Sequence, residues 1–321
     1  RDDLMAKGLI WFRADLRLDD NPALNAALSE CEEVLAIYIF SHSQWEIHNE
    51  SNIKHEFLLN NLILLKESLE SFGISLIAIN TESYEDLPKD LCSIAVEHKV
   101  DHVFWNNEFG FNETIRDQNS IKFLKENNIC SSSFHDQVIY PPGFLKTGQG
   151  NPFSVFTPYK RRWVENFDMN FLDIAMVSKP KRPSSIRSDL SALKFVKTHS
   201  ANIDLWPAGE SAAQEKLANF LQSKANYYSE TRNSPIIDGT SRISPYLALG
   251  ILSPKRCILE GLKLNNYEFT SGNKGICKWI DEIVWREFYR NIMYSFPKVS
   301  MNQPFQDYTK SIQWRHSSEE L

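Results

Sequence analysis

Hydrophobic and polar positions change their period twice along this chain. Over the first 134 residues, short apolar runs alternate with longer amphipathic stretches. Runs 8–12, 34–40, 75–80 and 102–106 read as strands, with a weaker one at 131–134. Stretches 21–29, 52–72, 84–98 and 113–126 between them repeat at helical spacing. Strand, helix, strand at these intervals implies right-handed crossovers and a doubly wound, mainly parallel five-stranded sheet. From 140 to 207 the pattern loosens around Pro141-Pro142-Gly143, Gly148, Gly150, Pro152 and "SKPKRPSS". After Pro207 no strand alternation returns, and 215–228, 244–250, 253–262 and 276–296 all read as helices. The predicted organisation is an α/β domain over 1–136, a linker over 137–206, and the first part of an all-α domain over 207–321.

The last helix carries a puzzle. Ile280, Val284 and Phe288 form an ordinary core stripe, while Trp279, Glu282, Trp285, Arg286, Tyr289 and Met293 gather on the opposite arc. Such an arc either packs against other helices, with Glu282 and Arg286 satisfying each other at i, i+4, or lines a cavity where rings stack and charges read polar edges. Periodicity leaves both readings open.

The turn after the first strand, "RADLRLDDNPAL", lacks glycine, so the dinucleotide fingerprint is absent. Asp20 or Asn21 is expected to cap the next helix ahead of Pro22, with Arg13 and Arg17 tying the turn to neighbouring acids. In "DGTSRISPYLALGILSP", hydroxyls surround Arg242 where helices begin, which suits either ordinary N-caps or a phosphate. Residues 141–189 hold eight Lys/Arg against four Asp/Glu, although the whole chain carries a net charge of −6. Lys160, Arg161 and Arg162, between Tyr159 and Trp163, are either a solvated linker face or a phosphate-facing rim.

Composition narrows the classes. No apolar run approaches a membrane span, and the five scattered cysteines form no CxxC or Cys/His cluster, so neither zinc nor a disulfide framework is expected. A reduced cytoplasmic setting and a monomer are the expectation. The chain opens on Arg1 and closes on the polar "RHSSEEL", so the helical domain reads as cut off.

Six segments carry a resemblance to the photolyase–cryptochrome family, most like its bacterial class I cyclobutane pyrimidine dimer photolyases. They are "LIWFRADLRLDDNPAL", "WEIHN", "FGFNETIRD", "VFTPYKRRW", "DGTSRISPYLALGILSP" and "WIDEIVWREFYR", in family order over nearly the whole chain. The resemblance implies an α/β domain joined by a long linker to a helical domain holding FAD. It also implies light-driven electron transfer from reduced FAD that splits pyrimidine dimers in ultraviolet-damaged DNA. By motif match, Tyr228, Thr240, Ser241, Arg242, Ile243 and Ser244 would hold the flavin's phosphate region, and Trp279 and Arg286 would line its pocket. Glu282 would bond a pyrimidine edge, Trp285 would stack on the lesion, and Arg232 would lie near its phosphates. His48, Asn112 and Glu113 match the site of a 5,10-methenyltetrahydrofolate antenna, and Trp314 the surface end of an electron-carrying tryptophan chain. Two departures stand out: Met301 stands where relatives with a folate antenna carry Lys, and family members extend past Leu321. A chain ending there is expected not to hold FAD stably. A cryptochrome-type photoreceptor without repair activity is the alternative reading.

Overall fold

The computed structural model describes residues 7–174, 177–198 and 203–313. Its first unit is a sheet of β1 (Lys7–Phe12), β2 (Glu33–Phe40), β3 (Ser75–Asn80), β4 (His102–Asn106) and β5 (Cys130–Phe134). All pairings are parallel, in the order β3-β2-β1-β4-β5. The connections are α1 (Pro22–Glu30), α2 (His42–Ile47), α3 (Asn52–Ser71), α4 (Leu87–Glu97) and α5 (Phe111–Glu126). Leu9, Ile10, Trp11 and Phe12 of β1 are fully buried because helices cover both faces of the sheet. The chain reverses winding direction beside β1, so a crevice opens beyond the carboxyl ends of β1, β2 and β4.

The turn after β1 is held by acids from helix α5 and from the chain after β5. Arg13 donates to Asp117 at 2.6 Å, and Arg17 donates to Asp136 at 2.9 Å. Asn21 caps α1 by accepting from the Leu24 amide, while Asp20 accepts from the Ser253 hydroxyl instead. Arg17 also donates to the Gly250 carbonyl at 2.8 Å, joining this turn to the helical part. There, Gly250 has φ +62°, and a Cβ would lie 2.0 Å from the Ala14 carbonyl oxygen. Only glycine fits at that contact.

The intervening segment is not a loose tether. Ala78 donates to the Asp189 carbonyl and Asp189 to that of Leu76, so the segment pairs with the exposed edge of β3. It also contains a helix the periodicity reading omitted, α6 (Phe156–Glu165). The second unit holds α7 (Glu210–Ser223), α8 (Tyr228–Thr231), α9 (Ser244–Ala248), α10 (Pro254–Leu264) and α11 (Lys274–Ser295). Ser253 caps α10, and Asn273 caps α11 by accepting from the Gly275 and Ile276 amides.

The buried stripe of α11 is wider than the three predicted positions. It runs from Ile276 and Trp279 through Ile283, Val284, Glu287 and Phe288 to Asn291 and Ile292. Trp279 therefore belongs to the core side, 2% exposed, rather than to the opposite arc. Its ring meets Phe220 at 5.4 Å and presses on Gly261 of α10, where a Cβ would lie 3.0 Å away. What remains on the open arc is Glu282, Trp285, Arg286, Tyr289 and Met293, half-buried or exposed.

Candidate functional site

Two sites emerge, one mainly on the α/β unit and one on the helical unit. The first fills the crevice beyond the sheet, a cleft of about 570 Å³. Its walls bring together His48, Asn112 and Glu113, three of the residues singled out from the sequence. His48 follows α2 and shares a 2.7 Å hydrogen bond with Gln44; Glu113 lies in the first turn of α5 and folds back over Gly110. Trp45 stacks on Phe40 at 4.9 Å and on His55 at 4.2 Å, giving the cleft an aromatic wall. On the other side, Arg116 pairs with Glu108 at 2.9 Å and with Asp117 at 2.8 Å. Those two carboxylates more than offset the burial of the guanidinium, so its pKa is raised above an already high value. Burial pushes the His55 imidazole pKa down, against the pull of Glu50 3.6 Å away. Leu249, Ala248 and Met293 of the helical unit close the far side. Sequence reading missed Trp45 and His55, although Trp45 lies inside the quoted "WEIHN" one helical turn before His48.

The second site surrounds the open arc of α11. Glu282 is ion-paired with Arg232 and lies 3.7 Å from Lys278; the Arg232 guanidinium sits over the Tyr228 ring at 5.8 Å. Trp285 stacks on Phe156 of α6 with centroids 3.7 Å apart and planes 11° from parallel. Arg286 donates to the carbonyls of Gln137 at 2.7 Å and Leu247 at 3.0 Å, binding the end of α9 and the chain after β5 to α11. Burial works against its charge, and Arg290 adds to that.

A cavity of about 360 Å³ lies between α7 and the segment "DGTSR", joined to the core side of α11 through Phe220 and Trp279. Thr240, Ser241 and Arg242 line it together with Lys216, Lys224 and Phe220. Asp238 holds Lys224 at 2.6 Å and Arg242 at 3.0 Å. The preceding Gly239 presses so closely on α8 that a Cβ would lie 2.3 Å from Thr231 Oγ1. Tyr228, Ile243 and Ser244 do not line this cavity; Tyr228 contacts it through Phe220, ring to ring at 5.8 Å. The lysines were not singled out in the sequence, because nothing local distinguishes them from solvated helix charges.

Of the basic triplet, Lys160 pairs with Asp281 of α11 at 2.6 Å and Arg162 with Glu165 at 3.5 Å, while Arg161 is exposed. The flanking Tyr159 and Trp163 are core residues, 2% and 0% exposed. Both reach Glu287, which no sequence argument identified. This fully buried carboxylate accepts from the Ile139 and Tyr140 amides, from Trp163 Nε1 at 2.8 Å and from the Tyr159 hydroxyl at 3.3 Å. Burial pushes its pKa up to about 7 against those four donors. Trp314 lies outside the described residues.

A model of the DNA photolyase family matches residues 8–183, and the chain belongs to that family. The deoxyribodipyrimidine photo-lyase of Escherichia coli K12 is 33% identical over 318 residues, covering 99% of this chain. The chain spans 66% of the length of that relative. The crystal structure of a bacterial class III photolyase from Agrobacterium tumefaciens superposes with a TM-score of 0.83 at 26% identity, covering 100% of this chain and 65% of that one. A cryptochrome from Synechocystis shares the fold, with a TM-score of 0.80 at 21% identity over 100% of this chain and 68% of that one. The expected α/β-plus-helical architecture is observed. Among the described residues no helix is long and apolar enough to cross a membrane.

Proposed function

We propose that this chain is the antenna-binding and lesion-reading part of a deoxyribodipyrimidine photo-lyase, which uses light to split cyclobutane pyrimidine dimers in ultraviolet-damaged DNA. The observation that carries the reading is the open arc of α11. Glu282 and Trp285 stand nearly one turn apart, outside the buried stripe of the helix, with Glu282 paired to Arg232 and Trp285 only partly covered by its ring neighbours. A flipped-out dimer offers flat ring faces and hydrogen-bonding edges to that arc, and leaving the stack costs a damaged base pair little.

The residues fit FAD at its phosphate end. Hydroxyls of Thr240 and Ser241, with Lys216, Lys224 and Arg242, form a cradle that suits a diphosphate, with Asp238 holding Lys224 and Arg242 in place and Glu215 on its rim. When bound and reduced, FAD supplies the photoexcited electron that opens the cyclobutane ring. The chain's own residues prepare the encounter. Trp285 offers a stacking surface, Glu282 a carboxylate for a pyrimidine N–H, and Arg232 a cation close enough to serve both Glu282 and a flanking phosphate. Trp279 backs Phe220 of the cradle, and Arg286 ties α11 to the end of α9. Arg161 is exposed near this face and is assigned to the DNA backbone, while Lys160, held by Asp281, contributes less than its charge suggests.

The crevice of the α/β unit fits a folate antenna. Glu113 and Asn112 offer an acceptor and an amide to a pterin edge, and Trp45 lines the wall beside them. Exposed Met301 leaves this site without the expected lysine, so His48, Asn112 and Glu113 carry the assignment.

The deciding experiment exposes a dimer-containing oligonucleotide to blue light with the protein kept in excess reduced FAD, and follows dimer loss against a dark control. Light-dependent loss is expected. Its absence, with flavin bound, would leave a flavin photoreceptor as the better account.

A further inference from the structure

We infer that Phe156 is a positioning residue for lesion recognition, fixing the plane of Trp285 so that its uncovered surface is presented to the damaged base. The inference rests on the role proposed above for Trp285. A half-exposed tryptophan on a helix ordinarily samples several rotamers, and each must be frozen out when a base stacks on it. Here Phe156 lies nearly parallel to the indole at 3.7 Å and 11°, a close face-to-face contact that backs the ring before any ligand arrives.

What makes this a wall rather than a mobile plug is the way α6 is held. Phe156, Tyr159 and Trp163 occupy i, i+3 and i+7 of α6, so they share one face. Tyr159 and Trp163 both donate to Glu287, which follows Trp285 by two residues on α11. Lys160 adds a 2.6 Å ion pair to Asp281 of the same helix. Phe156 also meets Phe288 edge-on at 5.8 Å. Contacts on both sides of Trp285 along α11 thus clamp α6, and the Phe156 ring moves only if the clamp does.

The test measures dark binding of the flavin-loaded protein to a duplex carrying one thymine dimer and to the same duplex undamaged. Phe156→Ala is expected to weaken dimer binding roughly 2- to 10-fold, the size of one aromatic stack. Undamaged binding and flavin absorbance should stay unchanged, and Phe156→Tyr should restore affinity to within about twofold, since it keeps the ring. Phe156→Leu, which keeps apolar volume while losing the flat face, is the second variant should the alanine protein not fold, and the same loss is expected of it. An unchanged damaged-to-undamaged ratio in the ring-less variant would overturn the inference. So would tighter dimer binding, which would make Phe156 a plug. A wild-type protein with no preference for the dimer would instead sink the proposed function.

Discussion

The two candidate sites sit in one molecule but are built in opposite ways. The crevice site is assembled from the ends of neighbouring parallel strands and the helices that follow them. Its charges are settled within the α/β unit, Arg13 and Arg116 against Asp117 and Glu108. The α11 site draws on α6, α8 and α11, and a buried carboxylate on α11, Glu287, ties α6 and the chain after β5 to that helix. A parallel sheet produces a ligand crevice as a by-product of its winding. A helical face becomes a site only where packing leaves part of it uncovered. Damage to the helical clamp should therefore spread, and damage in the crevice should stay local.

The largest expected effect comes from removing the clamp. Glu287→Ala leaves two amides, an indole N–H and a phenol without their acceptor, and should cost about 3–5 kcal/mol in chemical denaturation. A loss below about 1 kcal/mol would mean α6 is held mainly by its apolar contacts.

The same residue predicts a pH dependence of somewhat smaller size. The folded pKa near 7 lies above the ordinary value of 4.5, so between those limits the folded state binds more protons than the unfolded one. Its contribution is full below about pH 4.5 and declines as pH rises towards 7, by ~3 kcal/mol in total. Denaturation series at pH 5 and 7.5 should show a flatter dependence in Glu287→Gln than in the wild type, and equal slopes would refute the assignment.

Next in size, Trp285→Ala should weaken binding to a dimer-containing duplex about 10- to 100-fold by loss of base stacking, with little change for undamaged DNA. Equal loss on both duplexes would show that it acts through the general fold of the face. The smallest effect belongs to the crevice. Glu113→Ala should retain folate about tenfold less well, read as near-ultraviolet absorbance, with melting temperature and flavin-driven dimer loss unchanged. A fall in repair with full flavin loading and continuous light would break the contrast between a local and a spreading site.

Much of this architecture is legible in the sequence because it is local. Alternation and helical spacing located all five strands to within a residue and α11 to within two. Local chemistry also narrowed the cap of α1 to Asp20 or Asn21, and Asn21 fills it. Helix α6 was missed although Phe156, Tyr159 and Trp163 carry its face, because the surrounding prolines and glycines dominate a window that short. Trp279 was put on the wrong side of α11 because a three-residue stripe understates an arc that partners on several sides bury.

The sequence by itself determined the five strands, most of the helices and the residue types that chemistry at either site requires. Tertiary structure alone decided which of them meet. Glu287 and Trp163 lie 124 residues apart, and Arg17 and Gly250 lie 233 apart. Backbone periodicity reports which side of an element is apolar, since that depends on neighbours within a turn or two. Whether a glutamate on that side finds water or four donors depends on what folding brings against it, and no local pattern records that.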